Sequence, residues 1–198
     1  NLTGNTTIVG ATFRSKFADV FTTRQTLLNA IYAAAKTKAD AAQSTGNTAI
    51  ANAAAAQSAA NAAQADATSS LAQLTDIASD GKLTANEKVK AKQEYLEVTG
   101  EQAGIDAQAT AYGVTTEKTS YDSAITALKN YLKTTVGVLD ASFNWTGISG
   151  TTNITRTTWD SNWTAVYTAR QALLNAIYAS AKAKADAAQS TGNTAIAN

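Results

Sequence analysis

Histidine, cysteine, proline and methionine are all missing from this 198-residue chain. Without imidazole or thiolate there is no Ser-His-Asp triad, no cysteine nucleophile, and no donor set for structural zinc, haem or an iron–sulfur cluster. Without cysteine there is no disulfide, so the redox compartment leaves no mark on the sequence. An excess of one charge is lacking too. Sixteen Lys and Arg face 15 Asp and Glu, for a net charge of +1, which argues against a nucleic-acid footprint. No run of about 20 apolar residues occurs, so neither membrane insertion nor a signal peptide is expected. A chain that lacks Met and opens Asn1-Leu2-Thr3 is expected to be a segment or processed product of something longer.

What is present is mostly small. Ala accounts for 44 of the 198 residues and Thr for 31. Ala is thus about half of the hydrophobic fraction and buries little area per residue, so large side chains for a core are few. They are also unevenly spread. They cluster at 89–132 and 157–178, whereas 39–70 holds only Ile50 above Ala in apolar size.

An internal repeat organises the chain. Residues 24–52 and 170–198 differ at three of 29 positions (Thr26/Ala172, Ala34/Ser180, Thr37/Ala183), at an offset of 146 residues. Upstream the match keeps its character in Phe13/Trp159, Phe17/Trp163, Val20/Val166 and Phe21/Tyr167, and reaches Ile8/Ile154 and Gly4/Gly150. One full period and part of a second copy are present, as expected of a tandem array.

Residues 12–79 predict one long helix. Ala is the best helix former, and Gly46 is the only glycine between 12 and 78. Phe13, Phe17, Leu27 and Ile31 follow helical spacing and are expected in a core. From residue 39 a heptad frame has one row at Ala39, Gly46, Ala53, Ala60, Ala67 and Leu74, and another at Gln43, Ile50, Gln57, Gln64, Leu71 and Ala78. A stutter near 32–39 reconciles this frame with the upstream stripe. A helix of this kind is roughly 100 Å long and cannot bury enough by itself. Copies of itself in a coiled coil are the expected partners. Gln43, Ile50, Ala53, Gln57, Ala60, Gln64, Ala67, Leu71 and Leu74 are the expected oligomer interface, with Gln43, Gln57, Gln64 and Gln189 meeting their symmetry mates.

The remainder reads as a knob. Asp80-Gly81 turns the chain, and Thr84 with Glu87 forms a capping box. A helix from about 85 to Gly113 and another from about 117 to 134, with Tyr121, Ile125 and Leu128 in its stripe, make a hairpin over 80–135. Residues 136–156 read as a loop, and 157–198 start the next long helix with Trp159, Trp163, Leu173 and Ile177 in its core. Residues 1–11 are expected to be the loop that ends a preceding unit. The fold class is mainly α: Ala-rich stalk alternating with small helical knobs.

The stretches DGKLTANEK (80–88), AYGVTTEKTSYDSAITALKNYL (111–132) and TTWDSNWTAVYTARQALLNAIYASAKAKADAAQ (157–189) resemble a helical module of phage tail-tip and central tail-fibre proteins. The resemblance covers 76–198, and 10–52 through the repeat. It implies a homotrimeric virion fibre in which tandem modules act as shaft, with a virion tail location and no catalytic residues.

Several residues invite a sharper chemistry. Asp76, Asp80 and Glu87 occupy positions 1, 5 and 12 of an EF-hand-like loop, but Ala78 stands at position 3, and the capping box is the competing explanation. Trp159 and Trp163 form an aromatic pair able to stack a sugar, or to pack a core. Arg24 and Arg170 lie within the apolar stripe, either paired at an oligomer axis or snorkelling to solvent. Glu94/Glu97 and Glu117/Asp122 read as solvated helix faces rather than a glycosidase pair. The expected function is a structural segment linking a virion to its host-recognition region, without enzyme activity, cofactor or resident metal. Its partners are further copies of itself in parallel, neighbouring repeats and a host surface. A bacterial surface fibre or trimeric adhesin stalk, hence a cell-surface location, is the second reading. A calcium-binding helical module is the third.

Overall fold

Alanine density and the absence of proline produce long uninterrupted helices. The computed structural model describes residues 8–197. In order along the chain are α1 (Gly10–Ile77), β1 (Lys82–Leu83), α2 (Ala85–Tyr112), α3 (Thr116–Tyr131), a π-helical turn (Leu132–Val136), β2 (Thr152–Asn153) and α4 (Arg156–Ala197). The protein is mainly helical. The loop expected over 1–11 lies outside the described residues as far as residue 7, and α1 has already begun at Gly10.

Thr, a poor helix former, is accommodated by back-bonding. The hydroxyls of Thr26, Thr37, Thr45, Thr48 and Thr68 each donate to the carbonyl four residues earlier, at 2.9–3.0 Å. This satisfies the hydroxyl without breaking the helical ladder. The Gln–Asn pairs at i,i+4 do the same on exposed faces: Gln25–Asn29, Gln43–Asn47, Gln57–Asn61 and Gln189–Asn193.

The chain divides into two units, Ala49–Ala185 and Asn1–Thr48 with Asp186–Asn198. In the larger unit the second half of α1 lies antiparallel to the first half of α4. Trp159 meets Leu74, Gln171 meets Ala60, and Ala181 and Ala185 share a small cluster with Ala53. Helix α2 runs alongside α4 in the same direction, through Glu94–Tyr167, Glu101–Arg170 and Tyr112–Ser180. Helix α3 folds back on α2 through Gln102–Asp122 and Asp106–Lys118. Gly113 makes that reversal possible: at φ 75° it caps α2 in the left-handed region, donating to Ala109 and Thr110.

The α1 side of this core keeps a strict heptad. Ala53, Ala60, Ala67 and Leu74 are buried, as are Ala63, Ser70 and Ile77 three residues on from the last three rows. The second row therefore differs from the expected one by a single residue. Small Ala63 and Ser70 let helices approach closely, whereas Gln57 is half-buried at the flank and Gln64 is exposed.

Strands β1 and β2 pair antiparallel, with Lys82 opposite Asn153 and Leu83 opposite Thr152. They tie the turn after α1 to the start of α4. Between α3 and β2 the loop closes on Asp140. Its Oδ1 accepts from the main-chain N–H groups of Ser142 and Asn144 at 2.8 and 2.9 Å, and the Asn144 bond is first among the interactions that hold its carboxyl below the usual range.

In the smaller unit α1 and α4 are antiparallel at close range. A Cβ built on Gly46 would stand 3.4 Å from the Gln189 Cα, and one on Gly192 would stand 3.4 Å from the Ala42 carbonyl carbon. Ala39, Gly46 and Gly192 are buried there.

Candidate interaction surfaces

The large side chains that the repeat carries decide what surface this protein offers. In α4 they point into the core of the larger unit. Trp159 and Trp163 are fully buried, with ring centroids 5.7 Å apart. Trp163 stacks on Tyr167 at 6.5 Å. Leu173, Leu174 and Ile177 continue the stripe, also buried.

A polar knot crosses this core. The Arg170 guanidinium pairs with the Glu101 carboxylate, and the Tyr121 hydroxyl donates to the other Glu101 oxygen at 3.4 Å. Three helices, α2, α3 and α4, are thereby joined. Burial pushes the Glu101 carboxyl above its ordinary range against the pull of Arg170, and it pushes the Tyr121 and Tyr167 hydroxyls well up. Tyr167 donates to Glu94 at 2.8 Å. Lys88, buried, gives its ammonium to the carbonyls of Ser149 and Gly150 at 2.8 and 3.2 Å. At the other end of α2, Lys184 donates to the Ala111 carbonyl at 3.0 Å and sits over the Tyr112 ring. A cation there complements the negative end of the helix. Among the described residues no group of acids is arranged to hold a metal ion.

The expected core residues separate cleanly by copy. Leu128, Trp159, Trp163, Leu173 and Ile177 are buried, but Phe13, Phe17, Leu27 and Ile31 are not. Phe13 is 50% exposed and Phe17 51%, against 0% for their counterparts Trp159 and Trp163. Phe21, Leu27, Leu28 and Ile31 are likewise exposed where Tyr167, Leu173, Leu174 and Ile177 are buried. The helical phase is the same in both copies. What differs is the covering: α4 has the second half of α1, α2 and α3 over it, and nothing described covers α1 between Phe13 and Ile31.

Of the expected oligomer interface, Ala53, Ala60, Ala67 and Leu74 are buried by elements of their own chain. Gln43 and Gln57 pair along their own helix with Asn47 and Asn61, and Gln189 with Asn193. Gln43, Gln57 and Leu71 are half-buried, and Ile50 and Gln64 are exposed.

At the EF-hand-like stretch, Glu87 is engaged in the capping box. Its Oε2 accepts from the Thr84 N–H at 2.8 Å and from the Thr84 hydroxyl at 2.6 Å. Asp80 accepts from the Lys82 N–H at 2.9 Å, and Asp76 is exposed. Of the two residues in the apolar stripe, Arg170 is buried and paired, and Arg24 is exposed. Its partner Glu101 was not singled out by the sequence; the one signal was an arginine inside an apolar stripe, which calls for an acid on a facing helix. A shallow hollow between α2 and the Asp140 loop is lined by Lys92, Tyr95, Lys129, Phe143 and Trp145. Tyr95 is fixed there by donating to the Phe143 carbonyl at 2.8 Å.

Comparison with protein-family models, with curated proteins and with solved structures returned no match.

Proposed function

We propose that this chain is a structural repeat segment of an elongated phage tail fibre or tail-tip protein, connecting the virion to its host-recognition region. The observation that carries the reading is one sequence face seen in two states: buried in the second copy, open in the first. A unit that spends its large side chains on repeat-to-repeat packing is what a mechanical spacer needs. Lys88, Glu101, Tyr121 and Arg170 are used in structural pairs, and the reading assigns no catalysis, cofactor or metal. In it the protein also assembles as a parallel homotrimer. Because the Ala row is filled from within the chain, the trimer contact in this reading uses the flank of Gln43, Ile50, Gln57, Gln64 and Leu71.

Antibodies raised against the chain test the location. Decoration of phage tails in electron micrographs supports the reading. Decoration of bacterial surfaces instead replaces it with the surface-fibre stalk. Sedimentation of a chain with two or more repeats tests the assembly: a folded monomer at micromolar concentration removes the trimer.

A further inference from the structure

The geometry points to a specific occupant for the exposed apolar face of α1 between Phe13 and Ile31: the knob of another copy of the repeat. That knob comprises the second half of α1, α2 and α3, with the groove filled here by α4. This deepens the reading above and rests on its tandem-repeat part, not on the trimer.

The template is inside the same molecule. Positions 13, 17, 27 and 31 and their counterparts at 159, 163, 173 and 177 carry large apolar side chains at the same helical spacing. In α4 that face is received by a groove whose other walls include Leu74, Val98, Tyr121 and Leu128, all buried in one cluster. The first-copy face is its chemical equal. It substitutes Phe for Trp at two sites and Phe for Tyr at a third, and keeps Leu27, Leu28 and Ile31 unchanged.

Charge complementarity adds an independent argument. Arg170 enters the groove and finds Glu101. Arg24 stands at the equivalent position, exposed among apolar side chains. Only a surface that offers an acid at that point suits it, and the groove of this protein does. A flat apolar partner would bury Arg24 unpaired, at a large cost. A second copy of the same face would set arginine against arginine. A knob from a neighbouring copy meets both the apolar and the ionic requirement. The contact is head-to-tail, so it propagates from copy to copy instead of closing a dimer.

The test is a duplicated chain, residues 1–146 followed by residues 1–198, compared with the single chain by hydrogen exchange. In the single chain, amides of 13–32 exchange as one fast population. In the duplicated chain the downstream copy follows a free knob. Its 13–32 amides are expected to slow by roughly 100-fold or more, splitting the population in two equal halves. Glu101→Arg in the upstream copy is expected to remove that protection, and Arg24→Glu in the downstream copy to restore it. One fast population in both chains overturns the proposal. So does a single chain that self-associates with 13–32 protected, because the face is then covered by its like. Phe17→Glu gives a second readout. It is expected to leave the melting of the single chain unchanged and to lower that of the duplicated chain. Equal effects in both overturn the proposal.

Discussion

Trp159 donates its indole N–H to the main-chain carbonyl of Leu74 at 3.0 Å, across 85 positions of sequence. Leu74 lies in the last turn of α1, where its carbonyl also accepts from the Ala78 N–H at 3.3 Å, so the indole takes its second lone pair. The start of one repeat thus closes the end of the helix before it. Trp159→Phe keeps an aromatic side chain but deletes the donor and the second ring, and is expected to cost about 1–2 kcal/mol. Trp159→Ala is expected to cost about 3–5 kcal/mol through the cavity it leaves. Urea unfolding of both variants checks the order; equal costs would show that the retained benzene ring contributes nothing.

The Arg170–Glu101 pair is worth more broken than whole. Arg170→Met alone strands a half-buried carboxylate and is expected to cost about 3 kcal/mol. Adding Glu101→Leu is expected to recover most of that loss. A double-mutant cycle checks it: simple additivity of the two changes would show that the groups do not interact.

Stability is expected to be flat across neutral pH, because the chain has no histidine. The alkaline side is different. Burial raises the hydroxyl pKa of Tyr95, Tyr121, Tyr131 and Tyr167 above the ordinary value of 10.0. The native state then holds protons that the unfolded chain releases. Stability is present in full below pH 10.0 and falls as pH rises through the native values. Glu101 has the same sign lower down: its raised pKa removes stability as pH climbs above 4.5. Chemical denaturation of the protein and of Glu101→Gln checks both windows. The variant is expected to lose the fall in stability above pH 4.5 that Glu101 contributes and to keep the alkaline one.

The glycines divide by what surrounds them. Gly100 and Gly104 lie inside α2 with open space where a Cβ would go. Ala at either is expected to add about 0.5–1 kcal/mol. Gly147 is the opposite case, since a Cβ there would fall 2.8 Å from the Val138 Cα. Gly147→Ala is expected to cost about 1–3 kcal/mol through backbone displacement. Thermal melts of the three variants should move in these directions.

Calcium is expected to leave the melting temperature unchanged, since Glu87 is committed to Thr84. Thr84→Ala is expected to cost about 1 kcal/mol with or without calcium or chelator. A rise of several degrees on adding calcium to the unaltered protein would make the 76–87 stretch a metal loop.

Helix positions were largely legible in the sequence, because local chemistry sets them. The expected long helix over 12–79 compares with Gly10–Ile77, and the capping box at Thr84 marks the start of α2. Gly113 and Gly137 end helical segments in the left-handed region, where glycine has no Cβ to oppose it. What was not legible was who fills each seam. A heptad says that a face is covered, not by whom. The covering of Ala60 and Leu74 comes from α4 because the 137–155 loop brings the chain back, and its Gly/Thr/Asn composition carries no direction. The second row, too, was misplaced by one residue. Gln57 and Gln64 looked like axial polar positions, but their neighbours Ala56 and Ala63 are the small residues that close packing selects. The exposure of Phe13 and Phe17 could not be read from spacing at all, because it depends on a partner surface and not on the helix that carries them.

Gly46 rests on Gln189, and Gly192 on Ala42. By the offset of 146, Gly192 is the repeat's second Gly46 and Gln189 its second Gln43. The seam therefore pairs a stretch of sequence with its own duplicate, in opposite directions, about a local two-fold. A self-matching seam is also a self-limiting one. Both stretches spend the same face on each other, so the contact closes on two copies and leaves no equivalent face for a third.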